Sequence, residues 1–304
     1  MIGAAAGTPQ YSGTFIPEIW SGKLLVKFYA ATVCAAISNT DYEGEIKDVG
    51  DKVIIRQVPD ITIRDYSKGQ SLQIERPEAS NKELVIDKAK YFNFICDDID
   101  KHQTDLALMD SWSRDASQQM KITVDETVLD DIYSDAHSSN QGVTAGVISS
   151  SYDMGEVSDP HQLTKANILE TIVDCGSVLD EQNIPAEDRW MILPSWACGM
   201  ILKSDLKDAS LSGDGSSMLR NGRIGVIDRF EIFNSNLLNT GTDTYTVYHC
   251  MAGHKSALSF AAQMTNMESL RAESTFGTLV RGLNVFGYKV LKSEALVYLY
   301  IYKS

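Results

Sequence analysis

The longest helical pattern in the chain covers residues 102–137. Apolar residues recur there every three or four positions, a spacing that places them on one stripe of an α-helix: Leu106, Met109, Trp112, Ala116, Met120, Val124, Val128 and Ile132. Neither Gly nor Pro interrupts the stripe, and Asp100 with Gln103 resembles a capping box at its start. The mean spacing exceeds the roughly 3.5 residues of a coiled-coil seam. The pattern therefore predicts one long helix laid across a sheet, with Trp112 buried at the crossing.

Residues 41–90 show a period of two instead. Apolar residues alternate with polar ones in four short segments, which hold Val53 and Ile55, Ile61 and Ile63, Leu72 and Ile74, and Leu84 and Ile86. Breaks fall at Pro59, at Lys68-Gly69 and at Pro77. This pattern predicts a long two-stranded ribbon. An isolated ribbon buries little area, so its apolar face needs a cover from elsewhere.

The remaining patterns predict short elements of both kinds. Helices are expected over residues 17–37 (starting at Pro17), Leu163–Gln182 and Trp196–Ser204, the last capped by Ser195. Strands are expected at Arg189–Leu193, Ile224–Phe233 and Tyr245–His249, and on both sides of Gly287 within Val285–Tyr302. Residues 1–14, 138–160 and 205–223 have no periodicity. Helices and strands do not alternate as βαβ units, which predicts an α+β fold.

Composition narrows the classes of partner. The chain has 304 residues, of which 43% are hydrophobic, and its net charge is −14. An acidic balance argues against tight binding to nucleic-acid phosphates or to anionic membranes. No apolar run approaches the roughly 20 residues of a membrane helix, and Met1–Gly13 lacks a signal-peptide pattern. Residues 97–135 hold 11 acidic and 3 basic residues, which indicates a solvated helix face or a surface that faces a polyanion without binding it.

Sequence motifs that carry chemistry are absent from the chain. The chain lacks a phosphate-binding loop, a GxGxxG fingerprint, a GxSxG elbow and an HExxH helix. Asp97, Asp98 and Asp100 fail the EF-hand spacing and suit a helix N-terminus. His249 and Cys250 are neighbours on a predicted strand, so they point to opposite faces and form no zinc site. The sequence therefore predicts no catalytic residue, no cofactor and no metal. Five dispersed cysteines predict free thiols.

The order of these pieces resembles the major capsid proteins of tailed bacteriophages, which have the Hong Kong 97 fold. The resemblance rests on FIPEIW at 15–20, FICDDID at 94–100, GRIGVIDRFEIFNS at 222–235 and FGTLVRGLNVFGYKV at 276–290. It implies five regions: an N-terminal arm and first helix (1–40), an extended E-loop (41–90), a P domain with a long spine helix (91–150), an A domain (151–263) and P-domain return strands (264–304).

The resemblance also implies a function. We expect a structural protein, not an enzyme, that self-assembles as hexamers and pentamers into the icosahedral head shell of a phage. The shell would enclose double-stranded DNA without binding it tightly, with a separate scaffolding protein and a portal as further partners. Assembly is expected in the host cytoplasm and the final location is the virion. An encapsulin-like compartment and, less favoured, a soluble enzyme are the alternatives.

The ribbon tip supplies the candidate site. Charges of both signs cluster there and suit polar contacts with neighbouring subunits: Arg64, Asp65, Lys68, Glu75, Arg76 and Glu78. Lysines at positions 68, 82 and 88 of the ribbon are interpreted as solvated charges, and no crosslink between subunits is predicted.

Overall fold

The structure of the protein, a computed structural model, describes residues 32–41, 52–59, 61–78, 81–97, 108–204, 223–242, 245–272 and 276–303. Several predictions lie outside these residues: the arm at 1–14, the helix start at Pro17, the cap at Asp100 and most of the 205–223 loop. Within the described ranges, no helix combines the length and the apolar character that crossing a membrane requires.

The described elements are of both kinds, so the fold is α+β. The α-helices are α1 (Cys34–Ile37), α2 (Leu108–Leu129), α3 (Ile168–Glu181) and α4 (Ser195–Ile201), and 3₁₀ helices span Ile132–Asp135, Ser138–Asn140 and Ser293–Ala295. The strands are β1 (Lys52–Arg56), β2 (Asn81–Val85), β3 (Lys88–Asp97), β4 (His161–Leu163), β5 (Arg189–Leu193), β6 (Arg223–Ile227), β7 (Phe230–Asn234), β8 (Thr240–Thr242), β9 (Thr246–His254), β10 (Leu258–Arg271), β11 (Gly277–Val290) and β12 (Leu296–Lys303).

A seven-stranded sheet carries the main core. Its order is β4-β12-β9-β5-β7-β6, with β8 paired to β9. β5 is buried along its whole length, as the apolar run Trp190–Leu193 predicts for a strand covered on both faces. β12 lies inside the sheet, parallel to β4 and antiparallel to β9. Helix α3 contacts both β12 and α4.

A second sheet of three strands, β10-β11-β3, supports the long helix α2, which we call the spine. The spine's apolar stripe becomes more buried toward its C-terminal end, where Val124, Val128 and Ile132 are in the core. Trp112 contacts Phe94 of β3 edge-on, with ring centroids 5.9 Å apart, and is 40% exposed. The prediction of a buried Trp112 is therefore wrong, because only one side of the indole meets the sheet.

The structure differs from two predicted details, the strand break at Gly287 and the helix cap at Ser195. β11 runs unbroken through Gly287, and the chain leaves the strand only after Val290. A Cβ at Gly287 would lie 2.2 Å from the carbonyl oxygen of Val85, so the glycine permits close backbone contact with the ribbon. Ser195 does not cap α4: its hydroxyl lies 2.9 Å from Oδ1 of Asn234 and 2.5 Å from Oδ1 of Asn236, and Pro194 occupies the N-cap.

The 3₁₀ helix Ile132–Asp135 joins the spine to both sheets. It follows α2 directly and contacts β9, β12 and β11. Two acidic residues, Asp130 and Asp131, come at the end of α2, where the helix dipole disfavours negative charge. The spine therefore ends at Leu129 and not at residue 137, and the chain continues in a tighter turn.

Candidate assembly surface

The base of the ribbon is a regular antiparallel pair. β1 and β2 pair from Lys52 opposite Val85 to Arg56 opposite Asn81. Lys52 and Glu83 form an ion pair across the strands, with Nζ and Oε1 2.9 Å apart. Of the apolar residues here, Leu84 is fully buried and Val53 and Ile55 are partly buried. The predicted two-stranded ribbon is confirmed at its base.

The same register continues to the tip without strand hydrogen bonds. Thr62 Oγ1 donates to Glu75 Oε1 at 3.1 Å, and Arg64 donates to the side chain of Gln73, two cross-strand pairs in step with β1 and β2. The turn closes where the Gln70 amide donates to the Ser67 carbonyl at 3.0 Å. Gly69, third residue of this turn, has φ +90°, which a type II turn requires and glycine adopts without strain.

This register sorts the tip residues onto two faces, because opposite residues of an antiparallel pair share a face and successive residues alternate. One face carries four aliphatic side chains, which we call the apolar tip face: Ile61, Ile63, Leu72 and Ile74. They are between 65% and 94% exposed. The other, polar face carries Thr62, Arg64, Gln73 and Glu75. The isolated chain thus leaves a row of aliphatic side chains in water.

The six predicted contact residues divide between these faces. All are exposed. Arg64 and Glu75 lie on the polar face, where each bonds a residue of the opposite strand. Lys68 is in the turn. The register places the remaining three, Asp65, Arg76 and Glu78, beside the apolar tip face. Charged residues around an aliphatic centre are the usual composition of a protein–protein interface.

A small core of its own anchors the ribbon to the three-stranded sheet. Leu84 and Ile86 pack there with Ala261 and Val285, and Val53 and Ile55 cover them. At the same place Lys82 donates to the carbonyl of Leu291, and the Lys88 ammonium lies 4.6 Å from the centre of the Tyr288 ring. The tip therefore extends from a base held by apolar packing and by two engaged lysines.

The three-stranded sheet has a second exposed surface, which sequence reasoning did not identify. Odd-numbered residues of β3 point away from the spine, so Tyr91 and Ile95 share a face with Leu283 and Leu270. Arg281 and Glu268 form an ion pair at its centre, with Nη2 and Oε2 2.7 Å apart. The sequence of β3, KAKYFNFICD, did contain a signal for this surface. It places apolar residues on both faces of the strand, Phe92 and Phe94 on one and Tyr91 and Ile95 on the other, as expected for a strand that is covered on two sides.

The described residues offer little for catalysis or metal binding. In the part of the chain that the structure covers, no group of His, Cys, Asp and Glu side chains could hold a metal ion. Asp153, His161 and Thr171 are linked in order, at 2.8 Å and 3.3 Å. The Thr171 hydroxyl is buried and donates to the Asn167 carbonyl within its helix, so it is not placed as a nucleophile.

Solved structures with this architecture come from phages, and several of them are capsids. One from Mycobacterium phage Che8 has a TM-score of 0.72 and 26% identity, with 94% of this chain and 97% of that chain covered. The capsid structure of cyanophage P-SCSP1u has a TM-score of 0.69, 16% identity and coverages of 95% and 94%. The capsid of Ralstonia phage GP4 has a TM-score of 0.66, 11% identity and 99% coverage of both chains.

The chain therefore has the fold of phage capsid proteins. The predicted α+β class and the resemblance to the major capsid proteins of tailed phages are confirmed. No family model matches the sequence, and no curated protein matches it.

Proposed function

We propose that the chain is the major capsid protein of a tailed phage, and that its copies assemble through the ribbon into an icosahedral head shell of hexamers and pentamers. The observation that carries this proposal is the apolar tip face. Four aliphatic side chains stand exposed at the end of an anchored ribbon, in a fold that phage capsid proteins share. A neighbouring subunit is the cover that this face needs.

The energetics favour assembly through many repeated contacts. Burying an aliphatic side chain of this size stabilises by about 1.5–3 kcal/mol. Covering the apolar tip face would thus contribute several kcal/mol per subunit before the cost of association is subtracted. The flanking charges Asp65, Arg76 and Glu78 contribute about 0–1 kcal/mol per exposed pair and mainly fix the orientation of the contact.

The proposal includes the contents and partners of the shell. A net charge of −14 suits a container that encloses double-stranded DNA without binding it tightly. We infer a separate scaffolding protein and a portal, assembly in the host cytoplasm and a final place in the virion. The five regions drawn from the sequence (1–40, 41–90, 91–150, 151–263 and 264–304) remain the proposed domain boundaries.

Shortening the ribbon tests the proposal directly. Replacing Ile61–Arg76 with Asn-Gly removes the tip in register and leaves a two-residue hairpin turn. The subunit should keep its circular dichroism spectrum, because the removed residues add nothing to either core. Electron microscopy of the assembly reaction should show no closed shells or misshapen ones. Normal shells from the shortened chain would contradict the role of the ribbon.

A double substitution distinguishes the effect of the apolar contact on assembly from the effect of shortening the ribbon. Ile63→Asp combined with Ile74→Asp places two charges on the apolar tip face and should block assembly. Ser71→Asp adds a charge to the exposed polar face of the same ribbon and should assemble normally. If both variants assemble equally well, the apolar tip face is not the contact surface.

The same preparation distinguishes the alternatives. Shells that purify with a protein cargo and without a phage genome would favour an encapsulin-like compartment. A subunit that stays monomeric under all assembly conditions would favour a different class of protein. We propose no enzymatic activity, since the Asp153–His161–Thr171 series lacks an available nucleophile.

A further inference from the structure

A cluster of aromatic rings lies where the spine meets the seven-stranded sheet. The ring of His249, in β9, has its centroid 4.3 Å from that of Tyr133, 5.7 Å from that of Tyr298 and 5.1 Å from that of Tyr300. Tyr133 belongs to the 3₁₀ helix Ile132–Asp135, whereas the other two tyrosines belong to β12. His249 therefore contacts rings both from the 3₁₀ helix that follows the spine and from the seven-stranded sheet. We call this contact between the 3₁₀ helix and the sheet the joint.

One hydrogen bond fixes the chemistry of this histidine. The Tyr298 hydroxyl lies 2.8 Å from Nδ1 of His249. When the hydroxyl donates, Nδ1 accepts and the imidazole is neutral, with its proton on Nε2. On the far side of the cluster, Asn239 Nδ2 donates to the Tyr133 hydroxyl at 3.4 Å, which ties the 3₁₀ helix to the segment before β8. The His249 ring is part of a connected set of hydrogen bonds and ring contacts between the 3₁₀ helix and the seven-stranded sheet.

We propose that His249 makes the joint between the spine and the seven-stranded sheet sensitive to protons, so that protonation of Nδ1 loosens the packing of the 3₁₀ helix Ile132–Asp135 against β9 and β12. A proton taken from water would convert Nδ1 from an acceptor into a donor. The Tyr298 O–H would then have to turn away, and a positive charge would sit among rings. This inference does not depend on the proposed capsid role.

The surroundings of the ring favour the neutral form. Burial lowers the pKa of His249 below its ordinary value. Among the described residues, the titratable groups whose rings face His249 are Tyr133, Tyr298 and Tyr300.

The sign follows from linkage. In the closed joint the 3₁₀ helix is packed against β9 and β12, and in the open joint it is not. Because the pKa of His249 is lowered in the closed form, the open form binds more protons. The closed form is therefore fully favoured above the ordinary histidine pKa of about 6.5 and is weakened as pH falls from there toward the folded-state pKa. A shift of one pKa unit corresponds to a tenfold change in the opening equilibrium.

Hydrogen exchange tests the proposal in the full chain. After correction for intrinsic rates, the amides of residues 132–136 should exchange several-fold to about tenfold faster at pH 5.5 than at pH 7.5. His249→Asn keeps an acceptor for Tyr298 and cannot titrate, so it should abolish this difference. The matched control is His254→Asn, another partly buried histidine of β9 whose Nδ1 accepts from the Ser256 amide, away from the joint. It should leave the difference intact.

A second measurement keeps the proposal testable if the Asn variant folds poorly. Carbon-13 labelling of histidine side chains reports each titration by nuclear magnetic resonance. His249 should titrate below the ordinary value, and Tyr298→Phe, which removes the hydroxyl that bonds the neutral ring, should raise its pKa. An unshifted His249 in the wild-type chain, or equal pH dependence of exchange in wild type and His249→Asn, would overturn the proposal.

Discussion

Arg189 shows how a single buried charge can organise this fold. Its side chain is fully buried at the start of β5, yet each of its three guanidinium nitrogens donates at least one hydrogen bond. The guanidinium donates to the carbonyls of Gly176, Ile184 and Pro185 and to a carboxylate oxygen of Asp180. A buried charge of this kind contributes specificity: losing it leaves acceptors without donors, and that costs more than the pair itself contributes.

We predict that Arg189→Met lowers the free energy of unfolding by about 3–5 kcal/mol, the usual cost of breaking a buried pair. Arg229→Met is the matched control, since Arg229 bonds the same Asp180 from a partly exposed position. It should cost at most about 1 kcal/mol. Chemical denaturation of the subunit at pH 7 measures both. Equal effects would show that burial of the guanidinium is not what matters.

The pH dependence at this site has the same sign as that at His249 but lies in a more acidic range. Burial acts to raise the pKa of Asp180, but hydrogen bonds from Arg189 and Arg229 outweigh it and the net shift is downward. The ionised carboxylate therefore stabilises the fold above its unfolded pKa of about 3.9, and that contribution is lost as pH falls through the lower folded value.

At the scale of elements, the spine is held unevenly. Its C-terminal half packs into the main core through Val128 and Leu129, and the Tyr288 hydroxyl of β11 donates to the Asp131 carboxylate just beyond it. Its N-terminal half meets the three-stranded sheet along a thin contact, where Trp112 remains 40% exposed. Substitutions along one helix should therefore differ greatly in cost.

We predict that Leu129→Ala destabilises the subunit by about 2–5 kcal/mol, because it leaves a cavity in the core. Trp112→Ala should cost less than Leu129→Ala and should leave the subunit soluble, since the indole keeps much of its contact with water. Thermal unfolding of the two variants side by side gives the comparison. A larger loss for Trp112→Ala would mean that the N-terminal half of the spine is the better packed one.

Elements with a clear period could be predicted from the sequence. Arg189–Leu193 was predicted with the bounds that the structure has, because a short apolar run before a proline has few other solutions. The hydrophobic pattern did not predict β10, although the resemblance assigned residues 264–304 to return strands. The sequence of β10, LSFAAQMTNMESLR, has no steady alternation, and the register slips between Ala262 and Met264, so the residues on either side of the slip follow different phases.

The candidate site was predictable in part for a related reason. The alternation of Ile61 and Ile63, and of Leu72 and Ile74, indicated an apolar face. Which charges flank that face could not be read from the sequence, because a slip of one residue in pairing moves every side chain to the other side. The turn at Lys68-Gly69 fixes the register, and with it the separation of Arg64 and Glu75 from Asp65, Arg76 and Glu78.

At the scale of the whole molecule, distant parts of the chain complete one another. β12 lies between β4 and β9, and Ile301 pairs with His161. The main core draws side chains from β12 along most of its length. The seven-stranded sheet therefore lacks an interior strand until residues 296–303 are in place.

We predict that ending the chain after Ala295 yields insoluble protein without a cooperative unfolding transition. The sheet would lose an interior strand, and β4 and β9 would each gain an unpaired edge. Adding the peptide 296–303 in trans should restore part of the structure, as judged by circular dichroism. A soluble, cooperatively folding truncated chain would show that β12 is dispensable.

The interior position of β12 also sets the order of events during synthesis. A ribosome adds about 5–20 residues per second, so His161 waits roughly 7–28 s for Ile301 to be made. Until β12 is made, β4 and, once it has been synthesised, β9 have exposed edges, which makes the nascent chain a natural client for chaperones. Chains released before β12 is made lack an interior strand of the sheet, so we expect incomplete translation products to be excluded from assembly.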